Sequence, residues 1–283
     1  MAYLTPTQKQ NIRLIAFDLD GTLLDASSHV SERTRRALEK AREAGYVLCA
    51  ATGRVYSSLP EDIGEISAIT HVISSNGAGI IRQDDQSSIY ENLLDAQAVE
   101  RIMPILTDPR VMLEVFFGRR GYVGQYFVDH MEDYGVVTEA RQQYVRTTRT
   151  AVPDIIALLK EHIHELENLK LGFASPQVKW QINDVLQTYP DLTVICSKNF
   201  DIEIGGATTS KADALQQLCR LQGLGPENLM VFGDSNNDLA MLRYAGVSVA
   251  MGNSVDEVLQ MVDVVCPPNT EDGLAQVLEE LLA

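Results

Sequence analysis

Basic residues are scarce in this chain: 23 Lys and Arg stand against 39 Asp and Glu, a formal charge of −16. Without a basic run, such a balance is ill suited to a nucleic-acid backbone or an anionic membrane, both of which are bound through clustered cations. An anionic substrate would therefore need a local cationic site or a metal. Cysteine is sparse too. Cys49, Cys196, Cys219 and Cys266 are scattered, with no C-x-x-C spacing, so no disulfide framework is indicated and a reducing cytoplasm fits. Cys49 lies in the apolar run Val47–Ala51, where a buried thiol is expected rather than a reactive one. Aromatics make up only 6% of the chain, although the hydrophobic content of 45% suffices for a sizeable core. No apolar run approaches the length of a membrane span, and the polar start, Met1 to Asn11, lacks the apolar centre of a signal peptide. The expectation is a soluble, cytoplasmic protein whose 283 residues make two modest domains or one large one.

What the chain does have is a sharp transition near its start. The apolar run Leu14 to Phe17 reads as a short buried strand and stops at Asp18-Leu19-Asp20-Gly21-Thr22. In extended backbone, residues two apart project to the same side, so Asp18 and Asp20 can address one ligand. Gly21 permits a tight turn, and Thr22 adds a hydroxyl and an N–H beside the acids. Two carboxylates at close range repel unless a cation or a shared proton relieves them. A hard metal such as Mg²⁺, which takes oxygen ligands, suits the pair. An inert acidic turn after a strand would carry the same letters.

The following stretches repeat the pattern. Ser31 is an N-cap for a helix with the stripe Ala37, Leu38, Ala41 and Ala44, closed by Gly45. The strand Tyr46–Ala51 ends at Thr52-Gly53-Arg54, and His71–Ser74 ends at Ser75-Asn76-Gly77-Ala78. A β-α-β-α-β rhythm with continuously apolar strands points to a parallel sheet covered on both faces, with ligands at the carboxyl ends of its strands. From about Gln83 to Ile204 the rhythm changes to turn-linked strands and helices, among them strands at Val111–Phe117, Leu169–Ala174 and Leu192–Cys196 and helices at Val152–His162 and Pro176–Thr188. An inserted α+β unit is expected over residues 83–204, within a core made of 1–82 and 205–283, and Gly205-Gly206 is the candidate hinge between them. The parallel rhythm resumes with a helix Ser210–Gln222, the strand Leu229–Phe232, a helix Asn237–Tyr244, strands Val247–Ala250 and Val262–Val265, and a terminal helix Glu271–Leu282.

Each later cluster is weak alone. Thr52 and the N–H groups around Gly53 suit a phosphoryl oxygen, whereas Arg54 by itself would be a surface ion-pair partner. Lys211 opens a helix, where a cation is disfavoured by the helix dipole unless it faces carboxylates and a phosphate. Gly233-Asp234-Ser235-Asn236-Asn237-Asp238 follows a buried strand and offers oxygen ligands or a helix N-cap. Four such signals at strand ends of one sheet reinforce each other.

Together the four stretches resemble the motifs of the haloacid dehalogenase (HAD) superfamily, in the Cof-type form. Asp18-Leu19-Asp20-Gly21-Thr22 is similar to its first motif, Thr52-Gly53-Arg54 to the second, Lys211 to the third, and Gly233-Asp234 with Asn237-Asp238 to the fourth. The resemblance continues through Ala250-Met251-Gly252-Asn253 and Asn269-Thr270-Glu271-Asp272-Gly273, while the insertion matches the subfamily's α/β cap only in broad pattern. The family would imply a Rossmann-like α/β core with an inserted cap, and a Mg²⁺-dependent phosphatase of small phosphorylated metabolites, sugar phosphates foremost. By the same resemblance, Asp18 is the expected nucleophile and Asp20 the expected general acid and base. Asp18, Asp20 (through its carbonyl), Asp234 and Asp238 would serve the metal; Thr52, Gly53, Arg54, Lys211 and Asn237 would hold substrate. A phosphomutase of the same superfamily and a receiver-like signalling phosphoprotein are the alternatives, the latter disfavoured by the large insertion and the second Asp.

Overall fold

Leu14–Phe17 forms β1, and all four of its residues are buried. A strand apolar at every position must be covered on both faces, which is the condition of a central parallel strand. β1 is flanked in parallel by β2 (Val47–Ala51) and, from far along the chain, by β12 (Leu229–Gly233), with Phe17 opposite both Ala50 and Phe232. The computed structural model describes residues 4–196 and 201–283. Residues 1–3 of the polar start and 197–200 of the expected insertion lie outside the described residues.

The remaining strands are β3 (His71–Ser74), β4 (Gly79–Arg82), β5 (Ser88–Glu91), β6 (Val111–Phe117), β7 (Arg120–Gly124), β8 (Arg149–Val152), β9 (Leu166–Phe173), β10 (Leu192–Cys196), β11 (Asp201–Gly206), β13 (Val247–Ala250) and β14 (Val264–Val265). They make two sheets. The first has eight strands in the order β14-β13-β12-β1-β2-β3-β4-β5; the second has six, ordered β10-β11-β9-β6-β7-β8. In the first, pairing is parallel from β14 to β3 and antiparallel between β3 and β4. The second is antiparallel except for β7 with β8. This is the expected mixed α/β architecture, a Rossmann-like parallel core with helices and an inserted α+β unit.

By its internal contacts the chain divides into two units. One comprises the chain up to Gly53 with Leu59–Tyr90 and Ser210–Ala283; the other comprises Arg54–Ser58 and Glu91–Thr209. In the first, the helix Lys211–Leu221 buries Ala212, Ala214, Leu215 and Leu218 in a cluster with Leu14, Ala16, Cys49, Val231 and Met241. Glu32–Glu43, capped by Ser31 as its sequence predicts, buries Ala37, Leu38 and Ala41. In the second, alternate residues of β6 and β9 (Leu113, Val115, Leu169, Leu171) meet the helices Ala96–Leu106 and Pro176–Leu186. On the opposite face of β6, Glu114 receives a 2.5 Å bond from Arg149, with both side chains almost wholly buried. A cleft of about 420 Å³, counted with its open side, is lined there by Glu114, Arg141, Tyr144, Arg149, Lys170 and Asp201.

Three expectations change. Residues 83–90 do not begin the insertion: β5 extends the first sheet, so the first unit runs to Tyr90. The helix expected at Val152–His162 starts only at Ile155, because Asp154 caps it and Arg149–Val152 pairs with β7 as β8. Gly205 and Gly206 are ladder residues of β11, opposite Thr193 and Leu192, and lie within the second unit rather than at its boundary. A Cβ at Gly206 would lie 2.8 Å from the Leu93 carbonyl oxygen, and one at Gly205 would lie 2.9 Å from the Thr209 Cβ. Close packing explains those glycines.

Candidate functional site

Because β1 and β12 are parallel neighbours in register, the residues that follow them emerge side by side. The Asp18 N–H donates to the Phe232 carbonyl at 3.1 Å, the last rung before the strands part. Asp18 is buried, and Lys211 Nζ donates to its Oδ1 at 2.5 Å and to Asp238 Oδ1 at 2.8 Å. Lys211 is the first residue of its helix, with Ser210 as N-cap, and only 1% of it is exposed. A fully buried ammonium needs charged partners, and here it has two. Gly77 makes the helix's position possible: with φ at +107°, it stands where a Cβ would meet the Ser210 carbonyl oxygen at 2.1 Å.

Asp238 also shapes the loop after β12. Its Oδ2 accepts from the N–H groups of Asp234 and Ser235 at 3.0 and 3.1 Å. Both its oxygens are thus engaged by the protein, one by Lys211 and one by backbone. Asp234, half-buried, accepts from Thr22 Oγ1 at 3.2 Å. Gly21, with φ at +85°, lies so close that a Cβ there would come within 2.5 Å of Asp234 Oδ2. One carboxylate oxygen from each of Asp18, Asp234 and Asp238 lies within 4.8 Å of the other two.

Such crowding shows in the acidities. Burial pushes Asp18 up to about 8, the Lys211 charge opposes this only in part, and Asp238 and Asp234 add to it. Asp234 is pushed up to about 6, again by burial first and then by Asp238. Burial alone would lower Lys211, but the carboxylates of Asp18 and Asp238 outweigh it and hold the ammonium charged. Both shifts favour the neutral form of a carboxyl, as expected where acids crowd together away from water.

The model of the haloacid dehalogenase-like hydrolase family matches residues 15–278. The chain belongs to this family. Its HAD-like core and insertion are shared almost end to end with known proteins. The chain is 29% identical to the 5-amino-6-(5-phospho-D-ribitylamino)uracil phosphatase YitU of Bacillus subtilis, over 94% of this chain and 96% of that one. It is 25% identical to a phosphoglycolate phosphatase of Methanobrevibacter smithii, over 96% and 99%. A solved haloacid dehalogenase-like hydrolase from B. subtilis superposes with a TM-score of 0.81 at 26% identity, covering 95% of this chain and 99% of that one. As a Cof-type HAD hydrolase with phosphatase relatives, the protein is a phosphatase.

The HAD-type motifs fall in the structure as follows. Asp18, Lys211, Asp234 and Asp238 form one connected cluster. Asp20 is exposed, in a bridge with Leu24, and its carboxylate is not part of the three-acid group. Thr52 is buried just past β2; its N–H donates to the Ile73 carbonyl at 2.9 Å and its carbonyl accepts from Asn76. Gly53 closes the same turn. Asn237 is exposed and accepts from Ser235 Oγ at 2.6 Å. Arg54 groups with the second unit, where it lies 5.7 Å from the Tyr144 ring centre and donates to the Ser58 carbonyl at 3.3 Å. Two asparagines were not foreseen as part of the arrangement. Asn253 Nδ2 donates to the Gly21 carbonyl at 2.8 Å, and Asn269 Nδ2 donates to the Leu24 carbonyl at 2.7 Å. Their motifs were visible in the sequence, but nothing local ties them to the loop after β1.

Proposed function

We propose that this protein is a Mg²⁺-dependent phosphatase of small phosphorylated metabolites, sugar phosphates foremost, working through an aspartyl-phosphate on Asp18. The observation that carries the reading is the buried cluster in which Lys211 bridges Asp18 and Asp238 beside Asp234. Three carboxylates within 4.8 Å of one another, two of them with pKa values pushed well up, make a cluster that suits a hard dication. Asp18, the Asp20 carbonyl and Asp234 would hold Mg²⁺, which when bound offsets negative charge on a phosphoryl group. Asp238, with both oxygens already accepting, fixes Lys211 and the loop.

The chain's own residues then divide the work. Asp18 attacks phosphorus while the leaving oxygen takes a proton from Asp20, and Asp20 later takes a proton from the water that cleaves the acyl-phosphate. Lys211 holds the charge of the transferring group, with Thr52, the N–H groups around Gly53, and Asn237 contributing hydrogen bonds. The named activities of relatives, on a ribitylaminouracil phosphate and on phosphoglycolate, support small metabolites as substrates. Since phosphate and metal are common to every phosphomonoester, choice among them falls to the second unit, Arg54 included. Localisation is proposed as cytoplasmic; among the described residues no helix is long and apolar enough to cross a membrane.

The test is inorganic phosphate release from a panel of sugar and short alkyl phosphates, with Mg²⁺, after EDTA, and with Mg²⁺ restored. Release should require the metal reversibly, and Asp18→Asn should abolish it in a folded protein. Full hydrolysis after rigorous chelation, wild-type turnover by Asp18→Asn, or isomerised sugar phosphate in place of free phosphate would each overturn the reading.

A further inference from the structure

Asp20 sits on a turn rather than on an element. The N–H groups of Thr22, Leu23 and Leu24 all donate to the Leu19 carbonyl, so the turn is folded about one oxygen. Apart from the bridge between Asp20 and Leu24, no strand among the described residues pairs with this turn. Two of its carbonyls, those of Gly21 and Leu24, are instead taken by the side-chain amides of Asn253 and Asn269. The two residues are themselves joined, because Asn253 Oδ1 accepts from the backbone N–H of Asn269 at 3.0 Å. Asn253 is thus used at both ends, donor to Gly21 and acceptor from Asn269, which settles the orientation of its amide. Asn253 follows β13 and Asn269 follows β14, so both reach the turn from the far side of β12.

We infer that Asn253 and Asn269 are positioning residues that hold the turn carrying Asp20 at the geometry needed for proton transfer to the leaving group. The inference rests on the proposed role of Asp20. Asn253 is exposed and Asn269 half-buried, so each bond is worth little to stability against competing water. Proton transfer is less forgiving, since a small displacement of a donor is felt directly in rate. The site therefore places these amides where they affect chemistry more than folding.

Asn253→Asp is the sharp variant: it keeps shape and the acceptor toward Asn269 but puts an oxygen against the Gly21 carbonyl. Asn269→Asp does the same at Leu24. The readout is kcat/KM for an alkyl phosphate, whose alkoxide must be protonated to leave, and for p-nitrophenyl phosphate, whose phenolate leaves without a proton. Each variant should lose roughly 10–100-fold on the alkyl ester, the usual effect of a supporting hydrogen bond, and far less on the aryl ester. Asp20→Asn should show the same bias, and adding Asn253→Asp to it should cause little further loss. Equal losses on both esters, or full additivity with Asp20→Asn, would overturn the inference. If Asp20→Asn itself shows no leaving-group bias, it is the acid–base assignment that fails. Melting temperatures near wild type are expected for both variants, and a large drop would assign the amides to stability instead.

Discussion

At Asp18 burial, a lysine and two further acids act on one carboxyl. Burial raises its pKa to about 8 and that of Asp234 to about 6, from an ordinary 3.8. For a carboxyl raised on folding, the native state holds protons that the unfolded chain has released. The stability from this is complete below about pH 4 and is lost as pH rises through the folded values. The metal-free protein should therefore melt at progressively lower temperature between pH 6 and pH 8. Asp18→Asn should flatten most of that slope, because the amide does not titrate. Thermal melts in EDTA across this range check it, and a melting temperature that rises with pH in the wild type would contradict the assignment.

At the scale of elements, β6 and β8 are joined by an ion pair as well as by a sheet. Glu114 and Arg149 are 4% and 5% exposed at the side chain, and the guanidinium lies 4.7 Å from the Phe116 ring centre. A surface pair would contribute little, but breaking a buried one leaves a charge without its partner. Glu114→Ala is expected to destabilise the protein by about 3–5 kcal/mol. Glu114→Gln, which keeps an acceptor, should lose less. Urea denaturation measures both; a loss below about 1 kcal/mol for the alanine variant would mean that water replaces the carboxylate.

For the whole molecule, the proposed function assigns what all phosphomonoesters share to the first unit and the choice among them to the second. The carboxylate cluster lies within the first unit, whereas Arg54, Tyr144 and Arg149 lie within the second, with both guanidinium groups 5 to 6 Å from the Tyr144 ring centre (5.7 and 5.3 Å). Tyr144→Ala should reorder kcat/KM among sugar phosphates by about 10-fold or more. Hydrolysis of a minimal ester such as methyl phosphate should be nearly unchanged. A uniform fall across the panel would instead place Tyr144 in the stability of the second unit.

The sequence by itself determined the centre of this protein. Strands buried on both faces, such as Leu14–Phe17 and Leu229–Gly233, are continuous apolar runs, and the polar letters that end them can only emerge at their carboxyl ends. Asp18, Asp234 and the α/β class were legible for that reason, whereas Lys211, the first residue of a helix, stood out only beside those acids. Tertiary structure decided what no local pattern encodes. β8 is a half-exposed edge strand of four residues, Arg149–Val152, with no apolar alternation, and it exists because β7 offers it a partner. Gly205 and Gly206 look like a hinge in one dimension, but they are ladder residues paired with β10, and Thr209 and Leu93 leave no room there for a Cβ. Asp238 reads as a metal or capping residue, and became a fixed partner of Lys211 only when a helix from 27 residues earlier in the chain was packed beside it. Local sequence sets which backbone conformations are favourable. Which neighbour satisfies a buried charge or fills the space beside a glycine depends on distant segments, and only the packed chain brings those together.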